Sequence, residues 1–106
     1  MKTDQELLEL AAKAAGDVDY YKAAPVGLWL KGGGVWSPLH HSGDALRLAV
    51  KLNIVVWECA QYRRAMVEVR YGKARGEYWE PIENDDPYAA TRRAIVRAAA
   101  EIGSQS

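Results

Sequence analysis

The stretch Asp86-Pro87-Tyr88-Ala89-Ala90-Thr91-Arg92-Arg93-Ala94-Ile95-Val96 decides the class of this fold. Asp86 is a helix cap. Pro87 takes the first helical position, where its missing N–H costs nothing, and Gly103 is the expected stop. Thr91, Ile95, Ala98 and Ile102 recur on one face, widened by Ala94 and Ala99, while Arg92, Arg93 and Arg97 are expected to face outward. The small alanines allow that face to approach a sheet closely.

A second segment of the same kind lies upstream, where Trp36-Ser37-Pro38-Leu39 runs into Ser42-Gly43-Asp44-Ala45-Leu46-Arg47-Leu48-Ala49-Val50-Lys51-Leu52. Pro38 breaks any strand, Ser42 is the expected cap, and Asp44 suits the positive end of the helix dipole. Ala45, Leu48, Ala49 and Leu52 share a face opposite Arg47 and Lys51, and Asn53 is a left-handed stop. At the N-terminus, Thr3 and Glu6 have capping-box spacing, Leu7, Leu10, Ala11 and Ala14 follow at helical spacing, and Gly16 ends the helix.

Between the helices the pattern turns to strands. Asp17 to Tyr21 alternates, and Gly27 to Lys31 is joined to Val35-Trp36 by Gly32-Gly33-Gly34 as a hairpin turn. Ile54 to Trp57 is β-branched and too short for a helix. Ala65 to Tyr71 alternates through Glu68 and Arg70, Gly72 to Gly76 turns the chain, and Glu77 to Trp79 returns. This order predicts a single α+β domain over residues 1–106: three helices packed on an antiparallel sheet of four or five strands. Leu48, Leu52, Ile54, Val56, Ile95 and Ile102 are its expected core.

The two helical segments resemble small bacteriophage and prophage proteins of the phage ABA sandwich domain family. There a Trp-x-Pro-Leu element precedes a Gly-Asp-Ala-Leu helix, and a Pro-containing acidic turn precedes an arginine-bearing C-terminal helix. The likeness extends more weakly to Glu6-Leu7-Leu8-Glu9-Leu10-Ala11. It implies a helix–sheet–helix sandwich, a phage setting in the bacterial host cytoplasm, and no catalytic residues. Where related chains carry polar or acidic turn residues, this one has His40-His41-Ser42, so any role of those histidines is particular to it.

Composition narrows the function classes. Lys+Arg and Asp+Glu are both 14, so no whole-molecule field draws in DNA or an anionic membrane. One cysteine, Cys59, leaves no internal disulfide and suits a reducing compartment. No apolar run approaches the roughly 20 residues that cross a bilayer.

Residue patterns supply no reaction. His40 and His41 are adjacent, so in extended backbone they point apart rather than converge on a metal. Cys59 follows a buried-looking strand, where a thiol packs inertly. Gly32-Gly33-Gly34 lacks the Lys-Ser/Thr ending of a phosphate loop, and Glu58, Glu68, Glu77 and Glu80 are ordinary sheet acids. No catalytic residue, metal ligand or cofactor is assigned.

The candidate binding residues are Tyr62, Arg63, Arg64, Arg70, Arg75, Tyr78 and Trp79, from a basic, aromatic segment spanning 61–79. Tyr and Arg are favoured at protein-binding hot spots, which points to a host or phage protein as partner. The same residues can stack bases and hold phosphates, so single-stranded nucleic acid is the alternative. A homodimer also suits a domain of this size, and most of Trp29, Trp36, Trp57 and Trp79 are expected in the core or at its edge.

Overall fold

The computed structural model describes residues 2–59, 64–71 and 74–105, with the backbone alone for 57–59, 64–71 and 74–77. Its centre is the C-terminal helix. Helix α3 (Pro87–Ser104) starts as expected, with the Ala89 N–H donating to the Asp86 carboxylate at 3.0 Å and Pro87 in the first turn. Ala94, Val96, Ala98 and Ala99 are wholly buried, so α3 has no single apolar face. It is covered from several sides.

Helix α1 (Asp4–Ala15) carries the expected reciprocal capping box between Thr3 and Glu6 and ends at Gly16 in the left-handed conformation. Helix α2 (Ser42–Leu52) ends at Asn53, also left-handed, with φ 55°. Its start differs from expectation. The cap is His41 rather than Ser42, and the Asp44 N–H donates to His41 Nδ1 at 3.2 Å. The turn beginning at Ser37 fixes this, because both the His40 and His41 N–H groups bond the Ser37 carbonyl.

Six strands form two separate antiparallel sheets of three, in place of one sheet of four or five. The smaller joins β1 (Tyr20–Ala23), β2 (Leu28–Leu30) and β3 (Val35–Trp36). The expected glycine hairpin is there: the Leu30 N–H donates to the Gly34 carbonyl, and Gly33 and Gly34 have positive φ. Gly27 is needed for closeness, since a Cβ there would overlap the Trp36 carbonyl oxygen.

The larger sheet runs β4 (Ile54–Cys59), β5 (Arg64–Tyr71) and β6 (Ala74–Pro81) in sequence order. Its register is continuous, with Ile54 opposite Val69 and Val67 opposite Tyr78. Helix α3 packs on all three of these strands, and α1 and α2 pack on α3. Among the described residues α3 therefore contacts both the larger sheet and the other two helices.

Leu48, Leu52, Ile54, Ile95 and Ile102 are in the core, as their spacing predicts. Val56 is the exception. It is exposed because β4 is an edge strand with nothing beside it among the described residues.

Gly103 does not stop α3, which continues to Ser104. It lies buried where α1 and α3 cross, and a Cβ on it would meet the Leu10 carbonyl oxygen. The α3 arginines are likewise not free surface groups. Arg92 donates to the Leu39 carbonyl and the Ser42 hydroxyl, both at 3.0 Å. Arg93 reaches Asp4 of α1 at 3.1 Å, and Arg97 pairs with Glu80 of β6. The two segments most legible in the sequence thus meet through Arg92.

Candidate functional site

Helix α2 carries two apolar stripes. Ala45, Leu48, Ala49 and Leu52 are buried, while Leu46 and Val50, four residues apart, are 64% and 69% exposed. Three elements bring further apolar groups to the same side. Asn53 reverses the chain so that β4 leaves alongside α2, presenting Val55 and Val56. The first turn of α3 adds Tyr88, 71% exposed. Between them runs an open groove of about 870 Å³ with Ala49 and Ile95 in its lining.

Among the described residues Arg92 is the one charged residue lining this groove, and its guanidinium is already held by Leu39 and Ser42. The surface therefore offers apolar contact and a strand edge. The sequence did contain its signal: the second stripe of α2 at Leu46 and Val50 belongs to neither the core face nor the Arg47–Lys51 face.

A second hollow, of about 460 Å³, lies between the start of α1, β6 and α3. Two of its charges are spent on each other. Glu80, buried at the foot of the hollow, pairs with Arg97, whose guanidinium lies 5.4 Å from the Tyr78 ring centre. Burial pushes the Tyr78 phenol above its ordinary range, and the Glu101 carboxylate, which takes its hydrogen bond, adds to the shift. This arrangement fastens β6 to α3.

The residues singled out from sequence divide. Tyr62 and Arg63 lie outside the described residues. Arg64, Arg70 and Arg75 are strand positions, with Arg70 directly opposite Arg75 and Arg64 opposite Pro81. Tyr78 is turned to the helical layer, whereas its neighbour Trp79 is 39% exposed. The pair therefore does not form one stacking surface.

The two histidines serve the turn before α2. His41 caps α2, and His40 Nδ1 lies 3.4 Å from the Ser37 hydroxyl. Among the described residues no group of three or more His, Cys, Asp or Glu side chains is placed to hold a metal ion, and no helix is long and apolar enough to cross a membrane. No family model matches this chain, nor does any curated protein or solved structure.

Proposed function

We propose that this protein is a non-enzymatic protein-binding module whose contact surface is the groove between α2, β4 and the start of α3. The observation that carries the reading is the set of large apolar side chains left in solvent there: Leu46, Val50, Val56 and Tyr88, contiguous around one groove. Singly exposed apolar residues are ordinary, but a contiguous patch is the mark of a contact site. The resemblance to phage ABA sandwich proteins supports a setting as a phage or prophage accessory protein, acting on a host or phage factor in the bacterial cytoplasm.

The test is capture from host lysate containing an untagged copy of the chain, with wild type and Leu46→Lys/Val50→Lys as baits. A protein retained by wild type and lost from the variant is the expected result. Equal retention by both baits would remove the groove from the reading.

A second reading, single-stranded nucleic acid bound by the 61–79 segment, is supported by the exposed Trp79 on an arginine-bearing hairpin. It requires mobility shifts that weaken steeply with salt, because phosphate contacts release counterions. No shift at low salt would exclude it.

A further inference from the structure

The two edges of the larger sheet are unlike. β6 carries Arg75, Glu77 and Glu80 and ends in Pro81, whereas β4 reads Ile54-Val55-Val56-Trp57 before its first charge, Glu58. Edge strands template further pairing, and natural sheets blunt them with charge or proline. β6 has both; β4 has neither over its first four residues.

The helical layer is unmatched on that same side. α3 lies against all three strands, while α2 sits by α3 and touches β4 alone of the larger sheet's strands at more than a few points. Among the described residues α2 thus lies to the β4 side of the sheet, and Leu46 and Val50 line the groove beside that strand.

We propose that this edge pairs with the same edge of a second copy of the chain. β4 would lie antiparallel to β4 about a two-fold axis, joining two three-stranded sheets into one of six. The inference rests on reading the groove as a protein contact, and it names the occupant. A different protein would then be recognised by the dimer.

Three features favour a second copy. A two-fold contact sets a surface against itself, so it needs a strand that tolerates its own image, and residues 54–57 oppose no charge to their copy. Among the described residues the groove's one charged lining residue, Arg92, is engaged within its own chain, so it does not bring like charge to the centre of the contact. Burial is of the right scale: the exposed Leu46, Val50, Val56 and Tyr88 side chains offer on the order of 400 Å² per copy, about half of the ~800 Å² a stable interface takes from each partner. The β4 backbone edge and the groove rim contribute the remainder. Closed two-fold pairing also consumes both β4 edges and leaves the charged, proline-ended β6 at each end of the joined sheet.

The experiment is mass in solution by light scattering over a wide concentration range, with amide exchange on β4. Wild type should give twice the 11.8 kDa of the chain, and Leu46→Lys/Val50→Lys should give 11.8 kDa with unchanged helical circular dichroism. Both substituted positions are solvent-exposed, so the fold tolerates them. Should the double variant unfold, wild type alone decides: amides of residues 54–57 gain protection as concentration rises. A wild-type monomer at every concentration, or a dimer that survives both lysines, would overturn the pairing. The monomer result would still leave the groove open to a different protein, which the capture experiment judges separately.

Discussion

Gly103 of α3 and Leu10 of α1 touch backbone to backbone: a Cβ on Gly103 would overlap the Leu10 carbonyl oxygen. The crossing of the two helices is thus set by the absence of a side chain. Ala14 lies in the same contact, its N–H also close to where that Cβ would sit.

Gly103→Ala should therefore destabilise the protein although alanine favours helices. Overpacking of this kind costs about 1–3 kcal/mol, which for a chain of this size lowers Tm by roughly 4–8 °C for each kcal/mol. Gly32→Ala is the control, since nothing lies within 4 Å of its Cβ. Thermal melts that rank the two variants equally would remove the close contact from the account.

Arg97→Ala leaves Glu80 without its partner in a buried position. Breaking a fully buried pair costs several kcal/mol; with Arg97 partly in solvent, a loss of about 1–3 kcal/mol is expected by denaturant unfolding. Glu80→Gln should be milder, and adding it to Arg97→Ala should restore part of the loss. Strict additivity of the two would show that they do not interact.

Tyr78 gives the domain an alkaline limit. Its folded pKa is raised, chiefly by burial, so the folded state holds the phenol proton more tightly than the unfolded chain. That stability is complete below the unfolded tyrosine value of about 10 and is lost as pH rises through the folded value. Ultraviolet titration should show a tyrosine ionising above the ordinary range, and Tyr78→Phe should abolish that late step.

His41→Ala removes the side-chain acceptor for the Asp44 N–H and should lower stability by about 0.5–2 kcal/mol. His41→Asn should recover it, because asparagine caps at least as well. Ser42→Ala tests the alternative cap and should cost less, losing only the bond from Arg92. The order of the three melts is the readout.

What could be read from the sequence follows the range of the forces involved. Thr3 with Glu6, Gly16, Asn53 and Asp86 with Pro87 act within one turn of their own backbone, and each terminates its helix as its residue type implies. His41 and Ser42 can both accept at a helix start, and the choice belongs to the Ser37 carbonyl that pins the preceding turn. The arginines of α3 looked outward because periodicity describes one helix against one neighbour, whereas α3 has neighbours on several sides. Gly103 had two physical uses, stop or close approach, and only Leu10, ninety-odd positions away, decides between them.

The contact surface was half visible for a related reason. Leu46 and Val50 show as a surplus stripe, but their exposure depends on where β4 leaves Asn53 and on Tyr88 arriving from a distant turn. Splitting the strands into two sheets was also beyond local pattern. Each hairpin is local, but whether the two groups join across α2 is settled by packing.

Helix α3 comes after every element it covers. While the ribosome is still making it, the larger sheet and the inner side of α1 have nothing to lie against, and Asp4 waits for an arginine 89 residues further along. Closing so long a loop before any contact repays it makes assembly a single late event. A chain halted before Pro87 lacks the helix that covers the larger sheet, and the uncharged Ile54–Trp57 strand is made well before that cover exists.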